Sequence, residues 1–217
     1  MFLGIKKVLF LFFTITSLNG MSQPKDFYLA TGSGRADIEK KIMLAAKKIS
    51  SLQCKFEQEK SSVLLTEKAV SKGVLFYKAP SSLRWEYTEP NKYVSIFHKE
   101  NVYLKDEKGV VANANKMLKQ LGNLIISTIN GKSLVENGNF QIDYFENEKN
   151  KSTIWVKLTP IQKRLKEMYA SIQIKMSTLD YLASEIIMEE KSGDKMKIVF
   201  SEKKLNEPIS ADLFSID

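Results

Sequence analysis

The chain has 217 residues, a formal charge of +8, 43% hydrophobic residues, one cysteine and one histidine. That length holds one large domain or two small ones, and a single cysteine excludes an internal disulfide, so the fold must rest on its apolar core. One His and one Cys also exclude a His/Cys metal site; the positive charge is spread along the chain, which argues against nucleic-acid binding and leaves a mild attraction to anionic membranes.

Residues 1–22 read as an export signal. Lys6 and Lys7 form the basic start and Val8–Ile15 a short apolar core, while Gly20 and Ser22 suit cleavage before Gln23. The apolar run is shorter than the about 20 residues that a transmembrane helix needs. No cysteine near the cleavage point offers itself for lipid attachment. The expected product is a soluble exported monomer, residues 23–217, whose charge falls to +6 once Lys6 and Lys7 leave.

After a flexible Thr31-Gly32-Ser33-Gly34 segment, Ile38, Ile42, Ala45 and Ile49 recur at helical spacing and predict an amphipathic helix over 36–50, capped by Ser33 or a neighbour. Alternation then predicts strands at 53–60, 67–78, 82–88, 92–98 and 101–105, a turn at Asp106–Gly109 and a short strand near 110–113. In the first of these, Cys54 is expected to pack as a small apolar group. Helical period returns over 115–128, with Met117, Leu121, Leu124 and Ile125 on one side and Gly131 placed as a C-cap. Strands follow at 139–145, 152–158, 169–177, 181–190 and 195–203, with a short helix at Gln162–Met168 after Pro160. The last hairpin turns at Lys191-Ser192-Gly193-Asp194.

About eleven strands and two or three helices, without repeat or linker, predict one domain. The expected class is mainly β with helices (α+β), as a strongly curved antiparallel sheet or unclosed β-barrel with helices covering its apolar concave face.

Chemistry is hard to find in this pattern. His98 closes a predicted strand beside Lys99 and Glu100 and lacks a Gly-x-Ser-x-Gly elbow elsewhere. Glu185 and Glu189 read as outward solvated groups, and Glu86 as one half of a cross-strand pair with a lysine. Gly32-Ser33-Gly34 follows no strand, so it fails as a phosphate loop. The expectation is a non-enzyme with no catalytic residues, no cofactor and no metal.

The most informative stretch is 78–90, KAPSSLRWEYTEP, where Leu83, Trp85 and Tyr87 alternate with Arg84, Glu86 and Thr88. Such an aromatic face is either ordinary dry core or the wall of an apolar cavity, and periodicity alone favours dry core.

The run Lys72-Gly73-Val74-Leu75-Phe76-Tyr77-Lys78-Ala79-Pro80, followed by Leu83-Arg84-Trp85-Glu86-Tyr87 and Pro90, resembles the signature of the periplasmic outer-membrane lipoprotein carrier family, LolA. Phe56-Glu57-Gln58, Leu158-Thr159-Pro160, the closing hairpin and Asn206 to Phe214 are similar too, so the resemblance runs over most of residues 36–216. It implies an unclosed antiparallel barrel whose cavity takes the acyl chains of a lipoprotein, or of a related amphiphile such as an aryl-polyene lipid. It also implies partners: an inner-membrane ABC transporter that loads the carrier and an outer-membrane acceptor that unloads it. By similarity, Leu83 and Trp85 face the cavity, and the parity of the preceding strand turns Leu75 and Tyr77 inward. Strand parity adds Tyr87, Val94, Ile96, Ile186, Met188, Met196, Ile198 and Phe200, and Met117, Leu121 and Ile125 would belong to the lid. One departure stands out, because the arginine that latches the family's lid is replaced by Ala79. A sensor or adaptor domain of the same architecture, binding a protein, is the competing reading.

Overall fold

The computed structural model describes residues 26–98, 101–106, 109–111, 116–135, 138–147 and 149–215. The export signal, the centre of the turn at 106–109 and the end of the strand expected near 110–113 lie outside them.

Twelve strands form one antiparallel sheet. They are β1 (Phe27–Leu29), β2 (Ser51–Ser61), β3 (Ala69–Lys78), β4 (Ser82–Glu89), β5 (Tyr93–His98), β6 (Asn101–Asp106), β7 (Gly109–Val111), β8 (Phe140–Asn147), β9 (Thr153–Pro160), β10 (Tyr169–Ser177), β11 (Ala183–Glu190) and β12 (Lys195–Leu205). Neighbours run β1-β8-β9-β10-β11-β12-β2-β3-β4-β5-β6-β7, so β1 and β7 are unjoined edges and the sheet is not closed. The seam between the two halves is β12 against β2, in a register that places Phe200 opposite Phe56 and Ile198 opposite Gln58. The described residues also form helices α1 (Gly32–Ala46), α2 (Lys116–Ile129), α3 (Lys132–Val135) and α4 (Lys163–Met168), with a 3-10 turn at Ala211–Phe214.

Two expectations about the N-terminal region need correction. The segment Thr31–Gly34 is not a flexible tail, since Gly32 already begins α1, and the helix stops at Ala46 instead of residue 50. Thr31 holds the N-cap position without a side-chain bond, so Ser33 is no cap. The cause is tertiary. Phe27 to Leu29 pair with β8, the Ala30 N–H donates to the Tyr144 carbonyl at 2.9 Å, and Phe27 packs edge-on against Trp155. Three paired residues are too short a run to betray a strand by periodicity. The helix 115–128 and the short helix before β10 stand within a residue of where their periods put them, and Gly131 takes the positive φ of +73° expected after a helix end.

One face of this sheet is a continuous apolar surface. Inward residues of β2–β5 and of β8–β12 join Ile38 and Ile42 of α1, Leu121, Leu124, Ile125 and Ile129 of α2, and Leu134 of α3 in a single core. The outward residues are charged and pair across strands: Lys197 with Glu185 at 3.1 Å and Lys195 with Glu189 at 3.6 Å. Exposed pairs of this kind contribute little to stability; the alternation itself is what fixes the register.

Gly73 marks the tightest point of that register. A bulge between Lys72 and Gly73 brings β3 so close to β4 that a Cβ on Gly73 would stand 1.9 Å from the Glu86 carbonyl oxygen and 2.7 Å from the Phe56 ring. A backbone oxygen cannot rotate out of the way. Gly73→Ala is therefore expected to lower stability by about 3 kcal/mol or more, read from the midpoint of urea unfolding; an unchanged midpoint would contradict this packing.

Candidate binding cavity

The inner face is built by parity. From β3 and β4 it receives Leu75, Tyr77, Leu83, Trp85 and Tyr87, each no more than 4% exposed. Leu75 lies opposite Trp85, and Tyr77 opposite Leu83. From the closing hairpin come Ile186 opposite Ile198, Met188 opposite Met196, and Phe200, the last only partly buried. The aromatic members touch: Phe56 and Trp85 centroids are 4.5 Å apart, and Tyr87 stacks on Tyr93 at 4.2 Å. Such pairs add about 0.5–1.5 kcal/mol each beyond their burial.

Val94 and Ile96 are misplaced by the sequence reading. In the β4–β5 register Val94 lies opposite Glu86 and Ile96 opposite Arg84, so both belong to the outer face. The inward residues of β5 are Tyr93, Ser95 and Phe97. Ile96 is nonetheless buried, because the 3-10 turn packs on the outside of β4 and β5, where Phe214 is buried too. Arg84 helps to hold that turn by donating to the Leu213 carbonyl at 3.2 Å. Glu86 pairs with Arg84 on its own strand, at 2.8 Å, in place of a lysine across the sheet.

The sequence reading also missed much of the wall. Leu52, Cys54 and Phe56 of β2, Phe97 of β5, and Tyr144, Val156, Leu158, Ile172, Ile174 and Met176 of β8–β10 are all buried on the inner face. Alternation within the strands predicted at 139–145, 152–158 and 169–177 was a signal available for most of them. Outside this core, Val63, Leu64 and Leu65 are exposed in the turn between β2 and β3.

What occupies the inner face is α2. Leu121 and Ile125, two of the expected lid residues, are 6% and 1% exposed against the core; the side chain of the third, Met117, lies outside the described residues. The fit is close because residue 122 is glycine, where a Cβ would stand 1.9 Å from Phe97 Cε1. With α2 seated, a cavity of about 20 Å³ remains beneath it, bordered by Cys54, Leu75, Ile125, Ile129 and Phe200. That is room for about one water molecule. A wider groove of about 290 Å³ runs along one side of α2, between Gln120, Leu124 and Ser127, Leu165 of α4, and Tyr169, Ile172 and Met188 of the sheet.

The helices are tied down by the β8 end of the sheet. The Tyr144 hydroxyl donates to the Leu134 carbonyl of α3. Above it, Arg35 of α1 donates to the Ile142 carbonyl at 3.0 Å, pairs with Glu39 at 2.9 Å, and lies 5.4 Å from the centre of the Tyr144 ring. Burial first, then Glu39, pushes the Tyr144 hydroxyl well above the usual phenol range, so it stays a donor. Ala79, where the resembling family carries its latch, is exposed and offers only its N–H, to the Ser50 carbonyl at 2.9 Å. Lys78 donates to the Ile209 carbonyl at 3.2 Å.

Nucleophilic and metal chemistry is poorly served. Burial pushes the Cys54 thiol up to about 12, which leaves almost no thiolate near neutrality. Among the described residues no cluster of His, Cys, Asp and Glu is suited to a metal ion. The His98 side chain lies outside them. Among them, too, no helix is long and apolar enough to cross a membrane.

Comparison with known proteins follows this geometry. A family model described as outer membrane lipoprotein carrier protein LolA matches residues 47–217. No curated protein sequence matches. Among solved structures, a LolA superfamily protein from Nitrosomonas europaea is similar at a TM-score of 0.44 and 14% identity, over 82% of this chain and 97% of that one. Lipoprotein LppX of Mycobacterium tuberculosis is similar at 0.49 and 11%, over 84% and 100%. The MucA/MucB complex of Pseudomonas aeruginosa contributes a third, at 0.46 and 8%, over 83% of this chain and 60% of that one. These are likenesses of chain path and nothing more.

Proposed function

The chain belongs to the LolA family of outer membrane lipoprotein carriers, and on that premise we propose that it is a periplasmic carrier whose inner face takes the acyl chains of a lipoprotein or a related amphiphile. The observation that supports this best is α2, an amphipathic helix that is no strand of the sheet yet covers an aromatic and aliphatic wall drawn from both of its halves. Cargo would exchange with that helix.

The energetics are those of substitution. Each acyl CH₂ moved out of water contributes about 0.8 kcal/mol, so one long chain supplies on the order of 10 kcal/mol gross. Exposing the apolar side of α2 offsets part of it, because Leu121, Leu124, Ile125 and Ile129 then lose their burial. The net affinity is thereby moderate, which a carrier needs if an acceptor with a better apolar site is to remove the cargo. Loading by an inner-membrane ABC transporter and unloading at the outer membrane complete the proposed route. No covalent step is required of the protein.

Native mass spectrometry of protein purified from the periplasm tests the reading. Co-purifying lipid or lipoprotein is the expected result. Protein free of lipid that also ignores a fluorescent acyl probe would contradict it, and a stoichiometric protein partner without lipid would favour the adaptor.

A further inference from the structure

The polar groups of Tyr77, Tyr87 and Tyr144 on the inner wall are satisfied, but at one place two others are not. There the Trp85 indole Nε1 and the Ser95 hydroxyl have no hydrogen-bond partner of normal geometry among the described residues. Both residues are fully enclosed, at 1% and 0% exposure. They lie directly opposite each other across β4 and β5, which sets their Cβ atoms about 5 Å apart on the same face. Beside them the Tyr87 hydroxyl donates to Gln58 Oε1 at 2.9 Å. Burial pushes the Tyr87 hydroxyl well above the usual phenol range, and the neighbouring indole N–H tempers that rise without forming a bond of normal geometry.

Unpaired buried polar groups oppose folding, and native proteins keep few of them. A wall needed only to pack against α2 would be served better by Phe at 85 and Ala at 95. Ser95 is the odd member of its row. The inward positions on either side of it are Tyr93 and Phe97, and the facing strand presents Leu83, Trp85 and Tyr87. Two enclosed groups able to donate, on neighbouring strands of the face that α2 covers, suit an acceptor that arrives when α2 leaves. A carbonyl oxygen has two lone pairs and accepts from both.

We propose that Trp85 and Ser95 form a polar subsite for the carbonyl oxygen of an acyl ester or amide, so that acylated cargo is preferred over an ether-linked chain of equal length. The proposal rests on the reading that the inner face takes acyl cargo. The carbonyl has two sources, a lipoprotein and a phospholipid, and both are tested.

The experiment compares matched ester and ether forms of a diacyl phosphatidylcholine, and of a diacylated lipopeptide, as competitors of a fluorescent acyl probe. With wild-type protein the ester form is expected to bind about ten-fold more tightly than the ether, the worth of one or two hydrogen bonds. In Ser95→Ala and in Trp85→Phe that ratio should fall toward one. Preference with both headgroups supports a general acyl subsite, and preference with the lipopeptide alone assigns it to lipoproteins. Equal ester and ether binding by wild-type protein overturns the subsite and leaves the carrier reading standing, as does a ratio that survives both variants. Binding of neither form overturns the carrier reading, and the subsite with it. Ser95→Ala supplies the control for a structural role. Cargo-free Ser95→Ala should melt no lower than wild type, since it loses only an unpaired hydroxyl, and a fall of several degrees would show that the hydroxyl serves the closed fold instead.

Discussion

Leu83→Glu should abolish acyl-probe binding and destabilise the protein by about 4 kcal/mol or more at neutral pH. Leu83 is 0% exposed, opposite Tyr77 on one side and Phe97 on the other. A carboxylate there meets no partner and either pulls water in beneath α2 or stays protonated. A shift of about three pKa units is ordinary for a fully buried acid and costs about 4 kcal/mol when the solution would ionise it. The loss of an apolar side chain adds about 2 kcal/mol. The sign of the pH dependence follows. With the folded-state pKa of the new acid raised above its unfolded value of about 4.3, the variant is least impaired below that pH and worsens as pH rises through the folded value. Urea unfolding of wild type and variant at pH 4 and pH 8 reads this directly. A difference between the two proteins that is the same at both pH values would mean that water already reaches Leu83.

Gly122→Leu should have the opposite effect on binding. A Cβ at this position stands 1.9, 2.1 and 2.5 Å from three ring atoms of Phe97, itself only 2% exposed. Overpacking of a filled core typically costs 1–3 kcal/mol. Here the cheapest relief is to lift α2, since that breaks no strand pairing, whereas moving Phe97 would disturb β5. If α2 competes with cargo, raising the fraction of protein with α2 lifted tightens apparent affinity in proportion, about ten-fold for a bias of 1.4 kcal/mol. Cys54 reports the same event independently. It borders the small cavity under Ile125 and Ile129, so thiol labelling, slow in wild type, should quicken in the variant without global unfolding. Tighter binding with faster labelling supports competition. Unchanged affinity alongside faster labelling would show that α2 is only a cover.

The extent to which this architecture could be read from sequence varied with the length of each alternating run. β4, β11 and β12 alternate apolar inward residues with mostly polar or charged outward ones, and their inward residues follow from the sequence alone. β5 breaks the rule. In Tyr93-Val94-Ser95-Ile96-Phe97 both parities are largely apolar, and the polar Ser95 makes the inward row look like the outward one. Only the register with β4 and the covering 3-10 turn resolve it. β1 escaped because three residues carry no period, and α1 was shifted because β1 pairing fixes where the chain enters it. The filled interior could not be read either. Periodicity shows that α2 has an apolar side, but its depth of insertion depends on one glycine facing one phenylalanine across the fold. The tether moved as well: Ala79 hinted that a latch was missing, while nothing local to Tyr144 announced that its hydroxyl would hold α3.

Hydrogen exchange of the α2 amides, measured with and without a saturating diacylated lipopeptide, tests most directly whether cargo takes the place of this helix. Lipid should speed exchange in Leu121–Ile129 while exchange in β4 and β11 slows or stays unchanged. Slower exchange in α2 on lipid binding, with the helix still seated on the sheet, would contradict the account.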